Sequence, residues 1–550
     1  MAKATDEIMK KAVKQTRDKA MKGAIVKARF LWVDDEMELL KPYVLFLEEK
    51  GYVTDCAGNG HDALEMCRSG AYDIVFLDEQ MPGLSGLDTL ARLHRLAPHL
   101  PVVMVTKSED EGIMNQAIGK KIADYLIKPV NPHQVLSAIK KLLDKKELVA
   151  ENAAARYLES KVRLDETIQS CRKASDWKAV YRELVYWELE LEPTNHPVRE
   201  MVADQKAEAN LLFGRFVREL YERWILQRKQ QTYQRERRED NHYPLLSPDL
   251  MEQAVFPLID GGEKLFLILI DNFRYDQWTA VRDIVSERFS CEETLYFSIL
   301  PTTTQYARNS LFAGLMPAEI AKRYPGLWVD ESAPEGKNEQ EEQLVRELFR
   351  RTGREYSFSY HKVNNHQEGE RLLSHFSALR SNDLNIIVFN FIDALSHARA
   401  DSKMIRELVR DEADYRALTR SWLLGSPLEG ILREIANQGY KAIITTDHGT
   451  VRVKNGVTVV GDRETSTNLR YKCGKSLAYD PKRVYPCAIP ENIGLPSPHI
   501  STRYIFAMNH DFLIYPNRGS HYTSLYENTF QHGGISLEEM IVPLVTLTAK

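Results

Sequence analysis

Carboxylate, hydroxyl and lysine side chains fall directly after apolar runs in the N-terminal part of the chain. Asp34 and Asp35 follow the first run, Asp78 follows another, and Thr106 and Lys128 follow the next two. Carboxylates that converge at one place repel each other and need a cation. Mg²⁺ suits them because it binds through one or two carboxylates while keeping waters or phosphoryl oxygens. One carboxylate could then attack phosphorus while the lysine and the hydroxyl neutralise the transferred group.

A second set of aspartate and histidine residues is spread over the C-terminal part of the chain and contains no cysteine: Asp271, Asp393, His397, Asp447, His448 and His532. Zinc accepts histidine nitrogen and carboxylate oxygen, and catalytic zinc sites leave a coordination position open. These ligands suit two zinc ions about 4 Å apart, which clamp the attacking and leaving oxygens of an in-line displacement at phosphorus. The nucleophile could be water or a metal-activated side chain, and Thr302, Thr303 and Thr304 supply three adjacent hydroxyls.

The first set of residues needs a scaffold that gathers the ends of separate apolar runs. Strand-like runs occupy residues 29–33, 72–77, 101–105 and 124–127, and amphipathic stretches with leucine at helical spacing lie between them. Strand, helix, strand at this spacing predicts right-handed βαβ units and therefore a parallel sheet. The carboxyl ends of parallel strands meet at one edge, where such sheets carry their sites.

The rest of the chain changes character twice. Residues 146–240 have almost no glycine, and aromatic or leucine residues recur at spacings of three and four, which predicts a bundle of helices. The α/β pattern then returns, with candidate buried strands at residues 264–270, 385–391 and 441–445. We therefore predict four parts: an N-terminal extension (1–27), a first α/β domain (28–146), a helical linker or bundle (147–240) and a larger α/β domain (241–550).

Composition limits the class of protein. Lys and Arg total 73 and Asp and Glu total 78, and this net charge of -5 argues against a broadly basic nucleic-acid coat. The cysteines are scattered without a CxxC pair, which indicates reduced thiols. The longest purely aliphatic and aromatic run, residues 265–270, is too short to span a bilayer, and residues 1–27 contain no apolar signal segment. We expect a soluble, cytoplasmic protein.

Residues 29–145 resemble the receiver domain of bacterial response regulators. The resemblance rests on Val33-Asp34-Asp35-Glu36, on Asp78 before Met81-Pro82-Gly83, and on Thr106 and Lys128-Pro129. It implies a flavodoxin-like, doubly wound parallel sheet in which Asp78 accepts a phosphoryl group from a partner histidine kinase. It also implies that Asp34 and Asp35 hold Mg²⁺ with Asp78, that Lys128 contacts the phosphoryl group, and that Thr106 and Tyr125 are the switch residues.

The C-terminal set, taken in order, resembles the alkaline phosphatase superfamily. Pro301-Thr302-Thr303-Thr304 resembles the Pro-Thr-x-Thr motif of its nucleotide pyrophosphatase/phosphodiesterase branch, in which the second motif threonine, here Thr304, is the nucleophile. The PglZ domain is a closer match, through Asp271-Asn-Phe-Arg274, Thr304-x-x-Ala307-Arg308 and the segment from His532 to Pro543. The resemblance implies an alkaline-phosphatase-like α/β domain with two zinc ions. One would be held by Asp271, Thr304, Asp447 and His448, and the other by Asp393, His397 and His532.

Two arginines close to these motifs are candidates for steering substrate phosphates. They are Arg274 and Arg308, and a structural ion pair is the equal alternative for each of them. No basic recognition helix is visible that would make the chain a direct DNA-binding activator.

The order of receiver, helical middle and PglZ domain resembles that of PorX-like response regulators, which are associated with type IX secretion and gliding. This implies a zinc-dependent phosphodiesterase that acts on short cyclic or linear oligonucleotides under the control of Asp78 phosphorylation. Two alternatives stay open. One is a non-catalytic scaffold that binds a secretion-system component or a transcription factor, and the other is a phosphomonoesterase or mutase of the same superfamily. The helical segment is either a relay and phosphorylation-dependent homodimer contact, or only a spacer.

Overall fold

The computed structural model describes residues 27–107, 122–192, 194, 196–234, 243–331, 333, 336–401, 409–516 and 519–550. They form two compact units that divide after Asn152. The predicted N-terminal extension lies outside the described residues, apart from Lys27. Within the described ranges, no helix is both long and apolar enough to cross a membrane.

The first unit is built on a five-stranded parallel sheet. Its strands are β1 (Ala28–Val33), β2 (Tyr52–Ala57), β3 (Ile74–Asp78), β4 (Val102–Thr106) and β5 (Asp124–Ile127), in the order β2-β1-β3-β4-β5. Its helices are α1 (Met37–Glu49), α2 (Gly60–Ser69), α3 (Gly86–Leu96) and the start of α4 (Pro132–Ser170). The central strands β3 and β4 are buried throughout, as expected of parallel strands that are covered on both faces.

The second unit begins with the remainder of α4, followed by α5 (Ala174–Leu191) and α6 (Val198–Gln234). These helices supply the predicted helical middle region, but they do not bury their aromatic residues among themselves alone. The ring of Phe297, in the C-terminal part of the chain, lies 6.2 Å from the ring of Phe213 and 5.5 Å from that of Trp224. The middle helices therefore share one apolar core with the C-terminal α/β domain.

The remaining strands, in chain order, are β6 (Leu265–Ile270), β7 (Phe289–Phe297), β8 (Phe358–Val363), β9 (Leu384–Phe389), β10 (Lys441–Thr445), β11 (Val451–Arg452), β12 (Asn455–Thr458), β13 (Tyr471–Gly474), β14 (Val484–Cys487), β15 (Arg503–Ala507), β16 (Asp511–Ile514), β17 (Phe530–Gln531) and β18 (Ile541–Ala549). A six-stranded sheet in the order β7-β18-β10-β6-β9-β8 carries the unit. Within it β10, β6, β9 and β8 are parallel, and β18 is antiparallel to both of its neighbours.

Helices surround this sheet and connect its strands. They are α7 (Phe256–Asp260), α8 (Tyr275–Ser286), α9 (Asn309–Ala313), α10 (Pro317–Arg323), α11 (Glu341–Thr352), α12 (His366–Ser374), α13 (Phe376–Leu379), α14 (Phe391–Asp401), α15 (Glu412–Gly425), α16 (Pro427–Asn437), α17 (Gly519–Tyr526) and α18 (Leu537–Met540). Thr304–Arg308 forms a single π-helical turn ahead of α9. The fold predicted from the sequence, two α/β domains with a helical region between them, is confirmed.

One predicted strand boundary is wrong in a way that matters for the site. The run predicted as residues 385–391 ends as a strand at Phe389, and α14 begins at Phe391. The Asn390 carbonyl already accepts the amide of Ala394, so the chain turns into a helix at once. An apolar run cannot by itself mark the point where a strand gives way to a buried helix.

Lys472 is a buried amine in β13, and its titration is expected to make the free energy of unfolding depend on pH. Its Nζ lies 4.7 Å from the centroid of the Tyr515 ring, and burial lowers the pKa of Lys472 to about 7. The unfolded chain keeps this proton until about pH 10.4. The unfolded state therefore binds more protons between about pH 7 and pH 10, and the free energy of unfolding is expected to rise with pH across that window. Lys472→Met should raise it at pH 7 by about 1–3 kcal/mol and flatten the rise.

Urea denaturation at pH 7 and pH 9.5 measures both effects. Lys475→Met is the matched control, because Lys475 is paired with Glu464 at the surface rather than buried. A pH dependence that is identical in wild type and Lys472→Met would contradict the prediction.

Candidate functional site

Three carboxylates lie together at the carboxyl edge of the first sheet. The ligand oxygens of Asp34, Asp35 and Asp78 are within 4.8 Å of one another, and Asp35 is the exposed member. Lys128 Nζ lies 2.7 Å from Asp34 Oδ2 and 3.0 Å from Asp78 Oδ2. These oxygen donors suit a cation such as Mg²⁺, which keeps positions open for water and a phosphoryl oxygen.

The protonation of this cluster is set by burial and by the lysine. Burial raises the pKa of Asp78, and Asp34 adds to this while Lys128 opposes it. Burial acts to lower the pKa of Lys128, but its hydrogen bonds to the two carboxylates outweigh that effect and hold the pKa above its usual value. Lys128 therefore stays protonated, with its charge directed at the oxygens where a phosphoryl group would attach.

The other predicted receiver residues lie close to the same edge. Thr106 is the last residue of β4 and is fully buried, and its carbonyl accepts the Lys128 amide at 2.7 Å. Tyr125 is half-buried in β5, where it pairs with Met104. The structure adds Gly86, because a Cβ there would come within 2.3 Å of the Asp78 carbonyl oxygen. Sequence reasoning missed this glycine, since a single glycine does not show what it packs against.

Asp78→Asn is expected to abolish phosphorylation of the chain by acetyl phosphate in the presence of Mg²⁺. The amide is a far weaker nucleophile than the carboxylate and removes one of the three clustered charges. Intact-mass spectrometry of full-length protein measures the added phosphoryl group. Asp88→Asn is the control, because Asp88 is exposed and its side chain bonds to Ser85. Phosphorylation of Asp78→Asn to the wild-type extent would contradict the prediction.

The C-terminal ligand candidates are delivered by the carboxyl ends of the parallel strands of the larger sheet. Asp271 directly follows β6, and Asp447 and His448 lie just after β10. Asp393 and His397 lie four residues apart in α14, the helix that follows β9, and therefore on one helix face. Parallel strands place these loops side by side at one edge of the sheet.

The first group of ligands is buried. Ligand atoms of Asp271, Asp447 and His448 lie within 4.8 Å of one another. His448 Nε2 is 3.7 Å from Asp271 Oδ1 and 3.9 Å from Asp447 Oδ2. Thr304 Oγ1 lies 3.2 Å from His448 Nε2 and 3.4 Å from Asp271 Oδ1. The structure thus brings together the four residues predicted for one zinc ion.

The second group adjoins the first. His397 Nε2 lies 3.4 Å from Asp393 Oδ2, and His532 Nε2 lies 3.5 Å from Asp393 Oδ1. The two imidazole Nε2 atoms are 3.5 Å apart. The ring of His532 stacks on the ring of His448, with a centroid separation of 4.4 Å. Two clusters, each the size of a single metal site, therefore lie side by side.

Backbone carbonyls fix the orientation of two of the histidines. His448 Nδ1 lies 3.1 Å from the Gly449 carbonyl oxygen, and His532 Nδ1 lies 3.3 Å from the Thr302 carbonyl oxygen. A carbonyl can only accept, so each Nδ1 carries a proton, and Nε2 is the nitrogen of each ring that faces the cluster. Nε2 is therefore the atom that each ring would offer to a metal ion.

The three adjacent threonines have different surroundings. The Thr302 hydroxyl is buried, accepts the Gly533 amide and donates to the Gly534 carbonyl, both at 3.0 Å. The Thr303 hydroxyl is also buried, and it has no hydrogen-bond partner in the part of the chain that the structure describes. Of the three described hydroxyls, that of Thr304 is the one that lies among the ligand atoms.

Both candidate arginines are buried and ion-paired. This agrees with the structural ion pair that the sequence left open as the alternative to a contact with a substrate phosphate. Arg274 Nε lies 2.8 Å from Asp276 Oδ1, and its guanidinium is 5.4 Å from the ring centroids of Tyr415 and Phe530. At 1% exposure Arg274 offers no surface to a substrate phosphate.

Arg308 lies directly behind the first ligand group. Its guanidinium contacts Asp271 Oδ2 at 3.1 Å and Glu341 Oε1 at 2.8 Å, and it lies 3.7 Å from Asp447 Oδ2. Its Nη1 also donates to Asn390 at 3.1 Å. Arg308 thus neutralises the carboxylates of Asp271 and Asp447, and its ion pairs leave it no free face for a substrate phosphate.

Two further residues support the cluster and were missed at the sequence level. Glu341, at the start of α11, is the buried partner of Arg308. Asn272 donates to Asp393 Oδ1 at 3.2 Å and to Ser396 at 3.1 Å, from a backbone with φ 62. A lone glutamate in a charged helix carries no sequence signal for such a role. The Asp271-Asn272 pair at a strand end offered a weak one, because asparagine tolerates positive φ.

Burial and mutual charge shift the protonation of the cluster. Burial raises the pKa of Asp271 well above its ordinary value, and Asp447 and Asp393 add to this while Arg308 opposes it. Burial and the neighbouring His448 lower the pKa of His532 to about 3. The ring of His532 is therefore neutral at physiological pH, as a ligand nitrogen must be.

Comparison with known families identifies the larger domain. Residues 250–547, more than half of the chain, match the family described as the BREX system PglZ alkaline phosphatase-like domain. The chain belongs to the PglZ family. Residues 30–140 match the response regulator receiver domain, and residues 147–225 match the PorX response regulator linker domain. This response regulator therefore has a PorX-like architecture, as the sequence predicted.

Relatives and solved structures match the receiver part. The chain is 36% identical over 135 residues to the alginate biosynthesis transcriptional regulatory protein AlgB of Pseudomonas syringae pv. tomato. The aligned residues make up 24% of this chain and 30% of AlgB. It is 34% identical over 109 residues to the cyclic di-GMP phosphodiesterase response regulator RpfG of Xanthomonas campestris pv. campestris, covering 20% of this chain and 29% of RpfG. The chain thus spans less than a third of either relative. A CheY-like receiver domain protein from Methanospirillum hungatei matches with 28% identity and a TM-score of 0.21, over 22% of this chain and 96% of that one.

Proposed function

We propose that the PglZ domain of this response regulator is a zinc-dependent phosphodiesterase with Thr304 as its nucleophile. The observation that carries the proposal is the position of the Thr304 hydroxyl, 3.2 Å from His448 Nε2 and 3.4 Å from Asp271 Oδ1, beside a second group of ligand type. A hydroxyl held among ligands at one site, with a second site adjoining, is the arrangement that two-metal phosphoryl transfer needs.

The donor set fits two zinc ions. It consists of imidazole nitrogens and carboxylate oxygens, and the contacts of Nδ1 with backbone carbonyls in His448 and His532 leave Nε2 facing the cluster. When bound, the two ions would lower the pKa of the threonine hydroxyl and of water and offset the charge on the attacking and leaving oxygens. A thiolate-seeking metal finds no sulfur ligand in the described cluster, whose members are aspartate, histidine and threonine.

The chain's own residues then supply the covalent step. The deprotonated Thr304 oxygen attacks phosphorus in line, the bond to the leaving alkoxide breaks, and a covalent intermediate forms in which the Thr304 oxygen is joined to phosphorus in place of that alkoxide while the second ester group stays attached. The alkoxide takes a proton from solvent. Water next attacks the phosphorus of the intermediate and releases the Thr304 hydroxyl and a phosphomonoester. Arg308 holds Asp271 and Asp447 in place from behind throughout.

The proposed substrates are short cyclic or linear oligonucleotides. Threonine in the nucleophile position favours the diesterase branch of the superfamily over phosphomonoesterases and mutases, which typically carry serine there. The proposed setting is a cytoplasmic chain that acts in type IX secretion, with the domain boundaries given above. A secretion-system component or a transcription factor is a further proposed partner.

Control by phosphorylation of Asp78 is the second part of the proposal. A partner histidine kinase would phosphorylate Asp78, with Mg²⁺ held by the carboxylates of Asp34, Asp35 and Asp78. The added charge next to Lys128 would draw in Thr106 and change the receiver surface around Tyr125. This change would favour a homodimer.

The enzymatic proposal is tested with the wild-type full chain, stripped by chelation and reloaded with zinc or magnesium under metal analysis. Hydrolysis of bis(p-nitrophenyl) phosphate, p-nitrophenyl phosphate and a panel of short cyclic and linear oligonucleotides is then measured. Zinc-dependent hydrolysis that prefers diesters supports the proposal. No turnover on any substrate with two zinc equivalents bound would overturn it in favour of a binding scaffold, and a preference for the monoester would indicate a phosphomonoesterase.

The dimer is tested by sedimentation of the full chain with and without beryllium fluoride and Mg²⁺. Wild type should gain mass on treatment, and Asp78→Asn should not. An unchanged mass in wild type would overturn the phosphorylation-driven homodimer without touching the enzymatic proposal.

A further inference from the structure

The middle helix α6 contacts the loop that carries the nucleophile. The Tyr221 hydroxyl, fully buried on α6, accepts the Leu300 amide at 2.8 Å. Leu300 directly precedes the Pro301-Thr302-Thr303-Thr304 segment. A backbone amide buried without a partner is costly, so this hydroxyl fixes where the nucleophile loop leaves β7.

The same helix contacts the segment that follows His532. Asn210 Oδ1 accepts the Leu537 amide at 2.7 Å, and Asn210 Nδ2 donates to Glu538 Oε2 at 3.0 Å. Lys206, one turn earlier on α6, places its Nζ 2.9 Å from Glu538 Oε1. Asn210 therefore holds the N-terminus of the short helix α18 through both of its amide atoms, and Lys206 neutralises the carboxylate beside it.

The two segments that α6 holds are joined to each other at the ligand cluster. The Thr302 hydroxyl bonds to Gly533 and Gly534, as described above. The Gly449 amide donates to the Glu539 carbonyl at 3.1 Å, and a Cβ on Gly449 would lie 2.0 Å from the Glu538 carbonyl oxygen. A displacement of α18 would therefore displace the segments that carry His448 and His532.

The contacts lie on one continuous helix. Asn210 and Tyr221 are eleven positions apart within α6 (Val198–Gln234), which corresponds to about 16 Å along its axis. About three turns of continuous helix join the two contacts, so a shift of this part of α6 would change the positions of both segments together. Apolar packing alone does not produce this arrangement, since the contacts are hydrogen bonds to specific backbone amides and to one carboxylate.

We infer that α6 is a positioning element of the ligand cluster, in which Lys206, Asn210 and Tyr221 set the placement of the Thr304 and His532 segments relative to each other. The inference rests on the proposed function for its catalytic consequence. It gives α6 a role beyond that of a spacer, because a shift of α6 changes the geometry at Thr304. A spacer would leave that geometry unaffected.

The first test compares Tyr221→Phe with Tyr181→Phe in the full-length chain. Both tyrosines are fully buried, but within the described structure the Tyr181 hydroxyl has no hydrogen-bond partner. Tyr221→Phe is expected to lower kcat on the diester reporter by about tenfold with KM nearly unchanged, because the nucleophile is displaced while substrate contacts remain. Hydrogen exchange should become faster in peptides that cover residues 298–308. Tyr181→Phe should change neither quantity.

The second test compares Asn210→Leu with Gln205→Leu. Both changes remove a buried amide from α6, but Gln205 bonds to Tyr157, Lys161 and Asp165 of α4, away from the cluster. Both variants are expected to lose stability. Only Asn210→Leu is expected to speed exchange in residues 532–540 and to weaken the binding of zinc in competition with a chelator.

Hydrogen exchange and zinc affinity distinguish a failure of the proposed function from a failure of the inference about α6. A wild type without diesterase activity would overturn the proposed function, yet localised exchange in Tyr221→Phe and Asn210→Leu would still support the role of α6. Exchange and zinc affinity that match those of the control variants would overturn the inference, whatever the activity of the wild type.

Discussion

Thr304→Ala is expected to lower kcat/KM for phosphodiester hydrolysis by on the order of 10³-fold while both metal sites stay filled. The reason is that the variant removes the attacking oxygen and little else. Asp271, Asp447 and His448 remain to hold the first ion, and the second group does not include Thr304. Thr304→Ser keeps a hydroxyl at the same position and should recover part of the rate. Steady-state kinetics on bis(p-nitrophenyl) phosphate, with metal analysis of each preparation, measures both.

The neighbouring threonines provide matched controls. Thr303→Val removes a hydroxyl that has no hydrogen-bond partner among the described residues, and valine keeps its shape, so activity should stay within about twofold of wild type. Thr302→Val removes the hydroxyl that bonds to Gly533 and Gly534 and should reduce activity through the position of His532. If Thr304→Ala kept wild-type activity with both metals bound, water would have to be the nucleophile.

The ligand residues could be predicted from the sequence because of where they fall along it. Asp271 directly follows one apolar strand and Asp447 lies two residues after the end of another, and parallel strands bring such positions to a single edge. The spacing of Asp393 and His397 predicts a shared face only if their segment is helical, and the structure supplies that helix, α14, which begins where a strand was expected to continue. Among the three threonines the resemblance already indicated Thr304, and the structure adds that its hydroxyl lies among the candidate ligand atoms while the Thr302 and Thr303 hydroxyls do not.

What the sequence could not show are contacts between residues far apart in the chain. Tyr221 and Leu300, or Asn210 and Leu537, lie on segments whose patterns predict only helix or loop. A polar residue on an amphipathic helix looks the same whether it faces water or another loop. For that reason the sequence left the middle helices as either relay or spacer, and the contacts on which the proposed positioning role of α6 rests came from the structure.

Arg308→Met is expected to lower the free energy of unfolding by about 3–5 kcal/mol in the presence of a chelator. Arg308 is 2% exposed and is in ion-pair contact with Asp271, Glu341 and Asp447. Without it the carboxylates of Asp271 and Asp447 remain buried and close together with no cation between them. Glu341 keeps Lys362, whose Nζ lies 2.7 Å from Glu341 Oε2.

Zinc should reduce this loss, because a bound dication takes over the neutralisation of Asp271 and Asp447 and binds the native site more tightly than the unfolded chain. Urea denaturation of wild type and variant, each with chelator and with saturating zinc, gives the four free energies that are needed. Arg228→Met is the matched control, since Arg228 is also buried and ion-paired, with its Nε 2.6 Å from Asp249 Oδ1, but has no contact with the ligand cluster among those described.

The expected difference between the two arginine variants lies in how far zinc reduces their loss of stability. Loss of either buried guanidinium should destabilise the chain, because each leaves a carboxylate unpaired. Zinc should restore stability to Arg308→Met and leave the deficit of Arg228→Met unchanged. Equal deficits with and without zinc in both variants would mean that Arg308 serves the fold alone and does not share the charge of Asp271 and Asp447 with a metal ion.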